Sequence, residues 1–328
     1  MSVRTLDVRI ERWPVRGAFT ISRGAKREVE VVVAEVSDGT FHGRGEGTAI
    51  YYHGESAASV AAQIEALRPA IESGLDRAQL HLSLPRGAAR NALDCALWDL
   101  EAKEQGRPVW RLADLPAPRP LTTAFTISLA EPERMEADAR AAAHLPLLKL
   151  KLAGEGDRER VAAVRRGAPA ARLIVDANEA WTGRDVAAEA TALLPFGVEL
   201  IEQPVKAGED ALLDGVRSPI PLCADESCQD RAGLARCAGR YAAINIKLDK
   251  AGGLTEALAL VDAAKAAGLE VMVGCMLATS LGIAPATLVA PRARWVDLDG
   301  ALLLDRDRTG AMAAVDGILE TPSPELWG

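Results

Sequence analysis

The sequence predicts an α/β protein in which a parallel barrel of the (β/α)7β kind follows a small α+β domain. Eight short apolar runs alternate with Ala-rich amphipathic segments, each pair about as long as one strand plus one helix. Such alternation is typical of a parallel sheet covered by helices. Before the barrel, residues 1–48 alternate like antiparallel strands, and a proline-rich connector, LPAPRP at 115–120, separates the two patterns.

The N-terminal part of the chain begins with three predicted strands and continues with two predicted helices. The strands are SVRTLDVRIERW, EVEVVVAEV and FHGRGEGT, with Asp38-Gly39 as a hairpin signal between the last two. Residues 55–74 and 87–106 have apolar positions recurring three and four residues apart, which predicts helices. We therefore assign residues 1–118 to an α+β domain.

The eight predicted strands of the barrel lie within residues 119–304. They are TTAFTISL (122–129), LLKLKL (147–152), RLIVDAN (172–178), VELIEQP (198–204), PLCADES (221–227), AAINIKL (242–248), EVMVGCM (270–276) and RWVDLDG (294–300). No full helix is predicted after the eighth strand, so we expect the tail, about residues 305–328, to fold back and complete the first domain. The alternation could also form an open doubly wound sheet, but neither G-x-G-x-x-G after the first strand nor a P-loop is present. The repeat count favours the barrel, a modified TIM barrel.

Composition limits the classes of partner. The formal charge of the 328 residues is −8, and no basic stripe interleaved with aromatic residues occurs, so we expect neither nucleic acid nor an anionic membrane as a partner. The N-terminus lacks the apolar segment of a signal peptide, and Gly, Ser, Thr and Pro interrupt the uncharged stretch 271–290, so no membrane span is expected. The five cysteines form no C-x-x-C motif, which fits reduced thiols in a cytoplasmic protein.

Polar residues occur at comparable places near the ends of the predicted strands. Lys149 and Lys151 are two residues apart, so both side chains leave the same face of their strand. Each polar residue alone could be the N-cap of the next helix or part of a solvated edge. Together they would meet at the C-terminal face of a barrel. The others are Asp176 and Asn178 on the third strand, Glu202 on the fourth, Asp225 on the fifth, Lys247 on the sixth, and Asp297 and Asp299 on the eighth.

The three carboxylates Asp176, Glu202 and Asp225 would repel one another near the barrel axis unless a cation neutralised them. An all-oxygen set suits Mg²⁺ above Ca²⁺ or Mn²⁺, and zinc is not expected because no His or Cys joins the set. Lys151 and Lys247 would come from opposite walls of the barrel. Lysine can act as a general base where neighbouring cations and desolvation lower its pKa. Two bases on opposite faces of one carbon are what a racemase or epimerase needs, with the metal stabilising the enolate.

These residues resemble those of the enolase superfamily. The K-x-K motif at Lys149 and Lys151, the carboxylate triplet and the single Lys247 are similar to the muconate-lactonising subgroup. More narrowly, VDANEAW, IEQP, CADESC, NIKLDKAGGLTEAL, VGCMLATS and VDLDG resemble the dipeptide epimerase family. The resemblance covers almost the whole chain and implies that the N-terminal domain caps the barrel.

The resemblance implies a Mg²⁺-dependent isomerase that epimerises dipeptides. It would invert the α-carbon of the C-terminal residue of L-Ala-D/L-Glu-type dipeptides by two-base 1,1-proton transfer through an enediolate. Lys151 and Lys247 would exchange the proton, and Lys149 would stabilise the enediolate. The implied setting is recycling of peptidoglycan peptides in the cytoplasm, and members of this subgroup occur both as monomers and as homo-oligomers.

The resemblance also implies how the dipeptide is bound. Asp297 and Asp299 would hold its free ammonium group, because period two places both carboxylates on one face of the strand. Arg23 would pair with the glutamate side chain from a mobile capping loop, FTISRGAKRE at 19–28.

Two other functions stay open. A cycloisomerase or dehydratase of a carboxylate substrate, of the muconate-lactonising or o-succinylbenzoate synthase type, would share the fold and the metal. Its substrate has no α-ammonium group, so Asp297 and Asp299 would be unexplained. A metal-binding regulatory or storage protein on an inactive barrel would not need lysines on both sides of the metal.

Overall fold

The first sheet of the computed structural model, which describes residues 4–328, is antiparallel and has the strand order β1–β2–β3. Strands β1 (Thr5–Ile21) and β2 (Gly24–Ser37) form a long hairpin, and β3 (His42–Gly47) pairs with the other edge of β2. The predicted turn at Asp38-Gly39 is confirmed, with Gly39 at φ 91°.

The helices that follow differ from the prediction at one point. The segment 55–74 forms two helices, because Pro69 lacks the N–H that would continue the first helix. A further helix that we had not predicted begins with a capping box formed by Asp76 and Gln79. The predicted helix over 87–106 is confirmed. The helices are α1 (Ala57–Ala66), α2 (Arg68–Glu72), α3 (Arg77–Ser83), α4 (Ala88–Gln105) and α5 (Val109–Leu112).

Within residues 4–328, eight parallel strands then form a nearly closed barrel in chain order. A short strand, β4 (Leu121–Thr122), precedes them and pairs elsewhere. The last and first barrel strands meet through the Ala124 N–H, which donates to the Val296 carbonyl at 2.8 Å. The barrel strands are β5 (Phe125–Ile127), β6 (Leu147–Lys151), β7 (Arg172–Asp176), β8 (Val198–Glu202), β9 (Leu222–Ala224), β10 (Ala243–Ile246), β11 (Glu270–Gly274) and β12 (Trp295–Asp297).

The connections between barrel strands are less regular than predicted. In the described segment 203–221, between β8 and β9, the helical element is a 3-10 turn at Asp210–Leu213. Pro204 and Gly208 lie in this segment, and both disfavour a longer helix. The α-helices of the barrel are α6 (Pro132–Ala141), α7 (Asp157–Gly167), α8 (Val186–Leu193), α9 (Leu234–Cys237), α10 (Leu248–Ala251), α11 (Leu254–Ala266) and α12 (Ser280–Ile283).

The C-terminal tail returns to the N-terminal part of the chain. Strands β13 (Ala314–Val315) and β14 (Ile318–Leu319) pair with each other, and β14 also pairs with β4. The Trp327 indole N–H donates to the Cys95 carbonyl at 3.0 Å. The predicted fold class, a (β/α)7β modified TIM barrel with an α+β N-terminal domain, is confirmed. The domain limits at residues 118 and 304 stay a prediction.

The uncharged stretch 271–290 forms most of β11, then α12 and 3-10 turns. Within residues 4–328, no helix combines the length and the apolar character needed to cross a bilayer. The five cysteines all lie in the described part of the chain and are free thiols.

Three glycines of β3 allow α4 to pack directly against the strand backbone. Gly43, Gly45 and Gly47 lie on one face of β3 because strand side chains alternate. A Cβ atom on each would overlap a backbone carbonyl oxygen of α4, and at Gly45 this is the oxygen of Ala92. The sequence HGRGEG therefore fixes the distance between the sheet and α4.

We expect Gly45→Ala to lower the free energy of unfolding by about 3 kcal/mol or more, because the added methyl group must push α4 away from the sheet. The matched control is Gly39→Ala, whose Cβ would meet no atom of the described chain within 4 Å. That change should cost about 1 kcal/mol, from its left-handed backbone alone. Urea unfolding followed by circular dichroism measures both values, and equal losses would contradict the packing argument.

Candidate active site

The C-terminal ends of the barrel strands and the N-terminal hairpin enclose a cavity of about 250 Å³. Asp176 and Glu202, two of the nine predicted site residues, are buried and contact Lys149, which lines the cavity. The other seven predicted residues line the cavity, which places them in one site. They are Arg23, Lys149, Lys151, Asp225, Lys247, Asp297 and Asp299.

Three carboxylates lie at the ends of consecutive strands. Asp176 and Glu202 end β7 and β8 and are opposite each other in register, and Asp225 follows β9 directly. Their exposures are 0%, 1% and 2%. Burial and the charge of Asp176 raise the pKa of Glu202. Burial alone would raise the pKa of Asp176 too, but Lys151 and Lys149 outweigh it and lower that pKa to about 2.

Two lysines of β6 lie among these carboxylates. The Lys149 Nζ is 2.6 Å from Glu202 Oε2, 2.6 Å from Asp297 Oδ2 and 3.5 Å from Asp176 Oδ2. The Lys151 Nζ donates to Asp176 Oδ2 at 2.7 Å. Lys149 is therefore the positive charge that neutralises the centre of the cluster, and its pKa is raised because these carboxylates outweigh the effect of burial.

Lys247 and Lys250 bind the third carboxylate. The Lys247 Nζ donates to Asp225 Oδ2 at 2.7 Å, and the Lys250 Nζ lies 2.6 Å from Asp225 Oδ1. Burial alone would lower the pKa of Lys247, but Asp225 and Glu202 outweigh it and raise that pKa. This is the opposite of the direction that we expected for a general base, because the carboxylates contact the lysine directly.

The buried oxygens of the cluster test whether it fits a divalent cation. Glu202 Oε2 and Asp225 Oδ1 accept no hydrogen bond from any group in residues 4–328, although each lies 2.6 Å from a lysine Nζ. The contacts are thus charge pairs without hydrogen-bond geometry. As these side chains are placed, no three His, Cys, Asp or Glu residues of the described chain surround one metal position. Lysine ammonium groups lie between these carboxylates, in contact with their oxygens. The buried oxygens that accept no hydrogen bond fit a hard divalent ion, which carboxylate oxygens bind.

A second acidic group lies on the β12 side of the cavity. Asp297 ends β12, Asp299 follows two residues later, and both side chains are buried. Asp297 Oδ1 has no hydrogen-bond partner among the described residues, while Asp299 Oδ2 accepts the Thr126 N–H at 2.7 Å. Burial and the neighbouring Asp297 raise the pKa of Asp299 to about 7. Two adjacent buried carboxylates facing a cavity can bind a cationic group.

The segment 19–28, for which the resemblance implies a mobile capping loop, is the end of the β1–β2 hairpin. Strand β1 continues to Ile21 and β2 begins at Gly24, so Arg23 lies in the turn. Its guanidinium group pairs with Glu179 at 2.8 Å and with Glu226 at 2.5 Å. The hairpin is thereby attached to the barrel through these two carboxylates.

Several polar residues that support the site were not predicted from the sequence. The Asn245 amide donates to Glu202 Oε1 at 2.6 Å, and Gln203 Oε1 accepts the Asp225 N–H at 2.8 Å. Asn245 precedes Lys247 by two residues, so the period of the strand could have identified it. Gln203 adopts φ 36°, and no pattern in the sequence indicates this. The Lys250 Nζ donates to three backbone carbonyls. The position of Lys250 in the sequence gives no signal of this role.

Two family models match the chain. Residues 133–324 match the enolase C-terminal domain-like family. Residues 3–113 match the N-terminal domain of the mandelate racemase and muconate lactonizing enzyme family.

Two curated relatives are similar over nearly their whole length. The L-Ala-D/L-Glu epimerase of Escherichia coli (strain K12) is 44% identical over 319 residues, which are 97% of this chain and 99% of the relative. The N-acetyl-D-glutamate racemase of a Pseudoalteromonas species is 42% identical over 302 residues, which are 91% of this chain and 95% of the relative.

Solved structures agree with this relationship. An enolase family member from Agrobacterium tumefaciens with homology to dipeptide epimerases, with bound sodium and L-Ala-L-Glu, has a TM-score of 0.97 and 46% identity, covering 99% of this chain and 100% of its own. A dipeptide epimerase from Enterococcus faecalis V583, complexed with Mg and L-Leu-L-Tyr, has a TM-score of 0.90 and 30% identity, covering 98% and 97%. The chain therefore belongs to the enolase superfamily, in the family of the dipeptide epimerases.

Proposed function

We propose that the protein is a Mg²⁺-dependent dipeptide epimerase, an isomerase that inverts the α-carbon of the C-terminal residue of L-Ala-D/L-Glu-type dipeptides. One observation carries this proposal: lysines face a single cavity from opposite walls of the barrel. Lys151 ends β6 and Lys247 follows β10, which is four strands away in an eight-stranded barrel. The same substrate class is supported by the activity of the Escherichia coli relative, an L-Ala-D/L-Glu epimerase, and by the L-Ala-L-Glu bound in the Agrobacterium structure.

Asp176, Glu202 and Asp225 would hold the Mg²⁺, because they are buried carboxylates on neighbouring strands. The Mg in the Enterococcus faecalis relative supports this choice of metal. When bound there, the ion supplies a positive charge that stabilises the negative charge developing on the substrate carboxylate.

The lysines would move the α-proton. In one direction, the Lys151 amine takes the proton from one face of the α-carbon and the Lys247 ammonium returns a proton to the other face. The reverse direction exchanges the two roles, so each turnover needs one lysine neutral and one charged. Lys149 would add positive charge next to the substrate carboxylate, since it already lies among the buried carboxylates.

Asp297 and Asp299 would bind the free ammonium group of the dipeptide. This ammonium site distinguishes the proposed dipeptide epimerase from the alternative functions. An N-acetylated glutamate, the substrate named for the Pseudoalteromonas relative, has no such cation, and neither has the substrate of a cycloisomerase or dehydratase. Recycling of peptidoglycan peptides in the cytoplasm is the setting that this substrate and the free cysteines support.

Glu202→Gln should weaken Mg²⁺ binding and abolish turnover while the protein stays folded, because a charged oxygen is lost and the side-chain volume is kept. The matched control is Glu199→Gln on the same strand, whose partner is Arg172, a partly exposed residue at the start of β7 and away from the cluster. Calorimetric titration with Mg²⁺ and α-proton exchange of L-Ala-L-Glu in D₂O, followed by NMR, measure the two effects. Full activity of the unmodified protein after EDTA treatment would refute the metal assignment.

Asp299→Asn should lower kcat/KM for L-Ala-L-Glu. The decrease should correspond to an increase of about 2–3 kcal/mol in activation free energy, the range for losing a charged hydrogen bond. The amide oxygen of Asn can still accept the Thr126 N–H, so the local fold should persist. N-acetyl-L-Ala-L-Glu and N-acetylglutamate should be poor substrates of the unmodified protein. If acetylated and free Ala-Glu reacted at equal rates, the ammonium assignment would be wrong.

Lys151→Ala and Lys247→Ala should each stop epimerisation, because one face of the α-carbon loses its proton carrier. Exchange of the α-proton with D₂O should survive in each variant for one epimer, and the two variants should prefer opposite epimers. Lys149→Ala should impair both epimers alike, because a charge beside the carboxylate does not distinguish the two faces. NMR of L-Ala-L-Glu and L-Ala-D-Glu measures all three variants. If Lys151→Ala and Lys247→Ala both exchanged the α-proton of both epimers at the rate of the unmodified protein, the two-base mechanism would be wrong.

A further inference from the structure

The one-turn helix after β10 holds a buried carboxylate that the proposed proton transfer does not use. Lys247 directly precedes this helix, α10, and all four residues of the helix are buried. Asp249 lies in its turn, two residues after Lys247, and its hydrogen bonds come from uncharged donors. A carboxylate that is costly to bury and lies this close to a proposed base could affect the position of that base.

Both donors to Asp249 belong to the N-terminal domain. The backbone N–H of Thr48, which directly follows β3, donates to Asp249 Oδ1 at 2.9 Å, and the side-chain amide of Asn91 on α4 donates to the same oxygen at 2.8 Å. The Asn91 amide also donates to the Glu46 carbonyl of β3 at 3.1 Å. Burial raises the pKa of Asp249 to about 7 in spite of these bonds. Moving Asp249 away would leave a buried acid without its donors, so Thr48 and Asn91 fix where it lies.

The other end of α10 is bound to the same N-terminal helix, α4. The Arg90 Nη2 donates to the Ala251 carbonyl at 2.6 Å, and the Arg90 Nε donates to the Gly252 carbonyl at 3.1 Å. Both ends of α10 are therefore attached to α4. The backbone that carries Lys247 into the cavity thus takes its position from the N-terminal domain.

The segment that carries the other proposed base, Lys151, is held differently. The Leu152 N–H donates to the Asp176 carbonyl of β7 at 2.9 Å, and the Gly154 N–H donates to Asp157, the first residue of α7, at 2.8 Å. These partners belong to the barrel. The two lysines are therefore positioned by different parts of the chain.

We propose that Asp249 is a positioning residue for Lys247, which it holds at one face of the substrate α-carbon through its bonds to Thr48 and Asn91. This inference rests on the proposed function, since it concerns one of the two bases of that site. Its consequence is selective. Loss of the Asp249 bonds impairs proton transfer by Lys247 and leaves proton transfer by Lys151 in place.

Exchange of the α-proton in D₂O, followed by NMR for L-Ala-L-Glu and L-Ala-D-Glu in the presence of Mg²⁺, tests this selectivity. The epimer that Lys247 deprotonates is the one whose exchange is lost in Lys247→Ala. Asp249→Ala should slow the exchange of this epimer by at least about tenfold, because a misplacement of 1 Å can cost about 100-fold in rate. Exchange of the other epimer should keep its rate.

Asp249→Asn should restore both rates, because the amide oxygen of Asn can accept the two hydrogen bonds that Oδ1 accepts. The matched control is Asp94→Ala. Asp94 is a buried carboxylate of α4 that accepts the Thr255 N–H at 3.0 Å, so it also joins the N-terminal domain to the barrel, but farther along the chain from Lys247. Asp94→Ala should lower the free energy of unfolding in urea, as Asp249→Ala does, and leave the ratio of the two exchange rates unchanged.

Asn91→Ala removes one of the two donors and should show the same selectivity with a smaller loss, so it provides the test if Asp249→Ala does not fold. The inference is overturned if these variants slow both epimers by the same factor. It is also overturned if Asp249→Asn is as slow as Asp249→Ala, or if Asp94→Ala changes the ratio as much.

The unmodified protein separates this inference from the proposed function. If it exchanges the α-proton of neither epimer, the proposed function fails and the inference fails with it. If it exchanges both epimers and both Asp249→Ala and Asn91→Ala keep the ratio of the two rates, only the inference fails.

Discussion

The repulsion among buried carboxylates at the ends of β7, β8 and β9 is the constraint on which the rest of the site depends. Asp176, Glu202 and Asp225 are all but inaccessible to water, so their charges require cations in direct contact. The lysines of β6 and the segment after β10 supply these cations in the structure. The same lysines face the cavity, so the residues that neutralise the carboxylates are also those that a substrate would meet. In the proposed function, a divalent ion held by the carboxylates would release the lysines for proton transfer, so metal binding would be coupled to the protonation of Lys151 and Lys247.

The N-terminal domain contributes to this site by positioning the segment that carries Lys247. Asp249, two residues later, accepts the Thr48 N–H at 2.9 Å and the Asn91 amide at 2.8 Å. Asp94 of α4 accepts the Thr255 N–H at 3.0 Å and thereby caps the start of α11. Because α4 is held close to β3 by glycines, its side chains reach the barrel at a fixed distance. The hairpin then covers the cavity from the same domain, so the two parts of the chain build one site.

Much of the fold was predictable because hydrophobic periodicity is a local property of the sequence. The barrel strands, the Asp38-Gly39 turn and α4 were found where their patterns indicated. The division of 55–74 was not foreseen, although Pro69 gives its reason, and the 3-10 turn between β8 and β9 lies in a segment that Pro204 and Gly208 interrupt. The strand predicted at 122–129 divides between two sheets, since β4 pairs with the tail. Such pairing depends on residues almost two hundred positions away, which a local pattern does not contain.

For the site, the sequence by itself determined which groups converge, because the carboxyl ends of parallel strands meet at one face of a barrel. Asp176, Glu202, Asp225 and the lysines of β6 follow from strand ends and period two alone. Only the tertiary structure decided how these charges are paired. It paired Arg23 with Glu179 and Glu226, left Lys26 without a carboxylate partner among residues 4–328, and brought the Lys250 amine to 2.6 Å from Asp225 Oδ1. The physical reason is that charge pairing in a buried site depends on distances of a few ångströms between side chains of different elements, and spacing along the chain does not fix those distances.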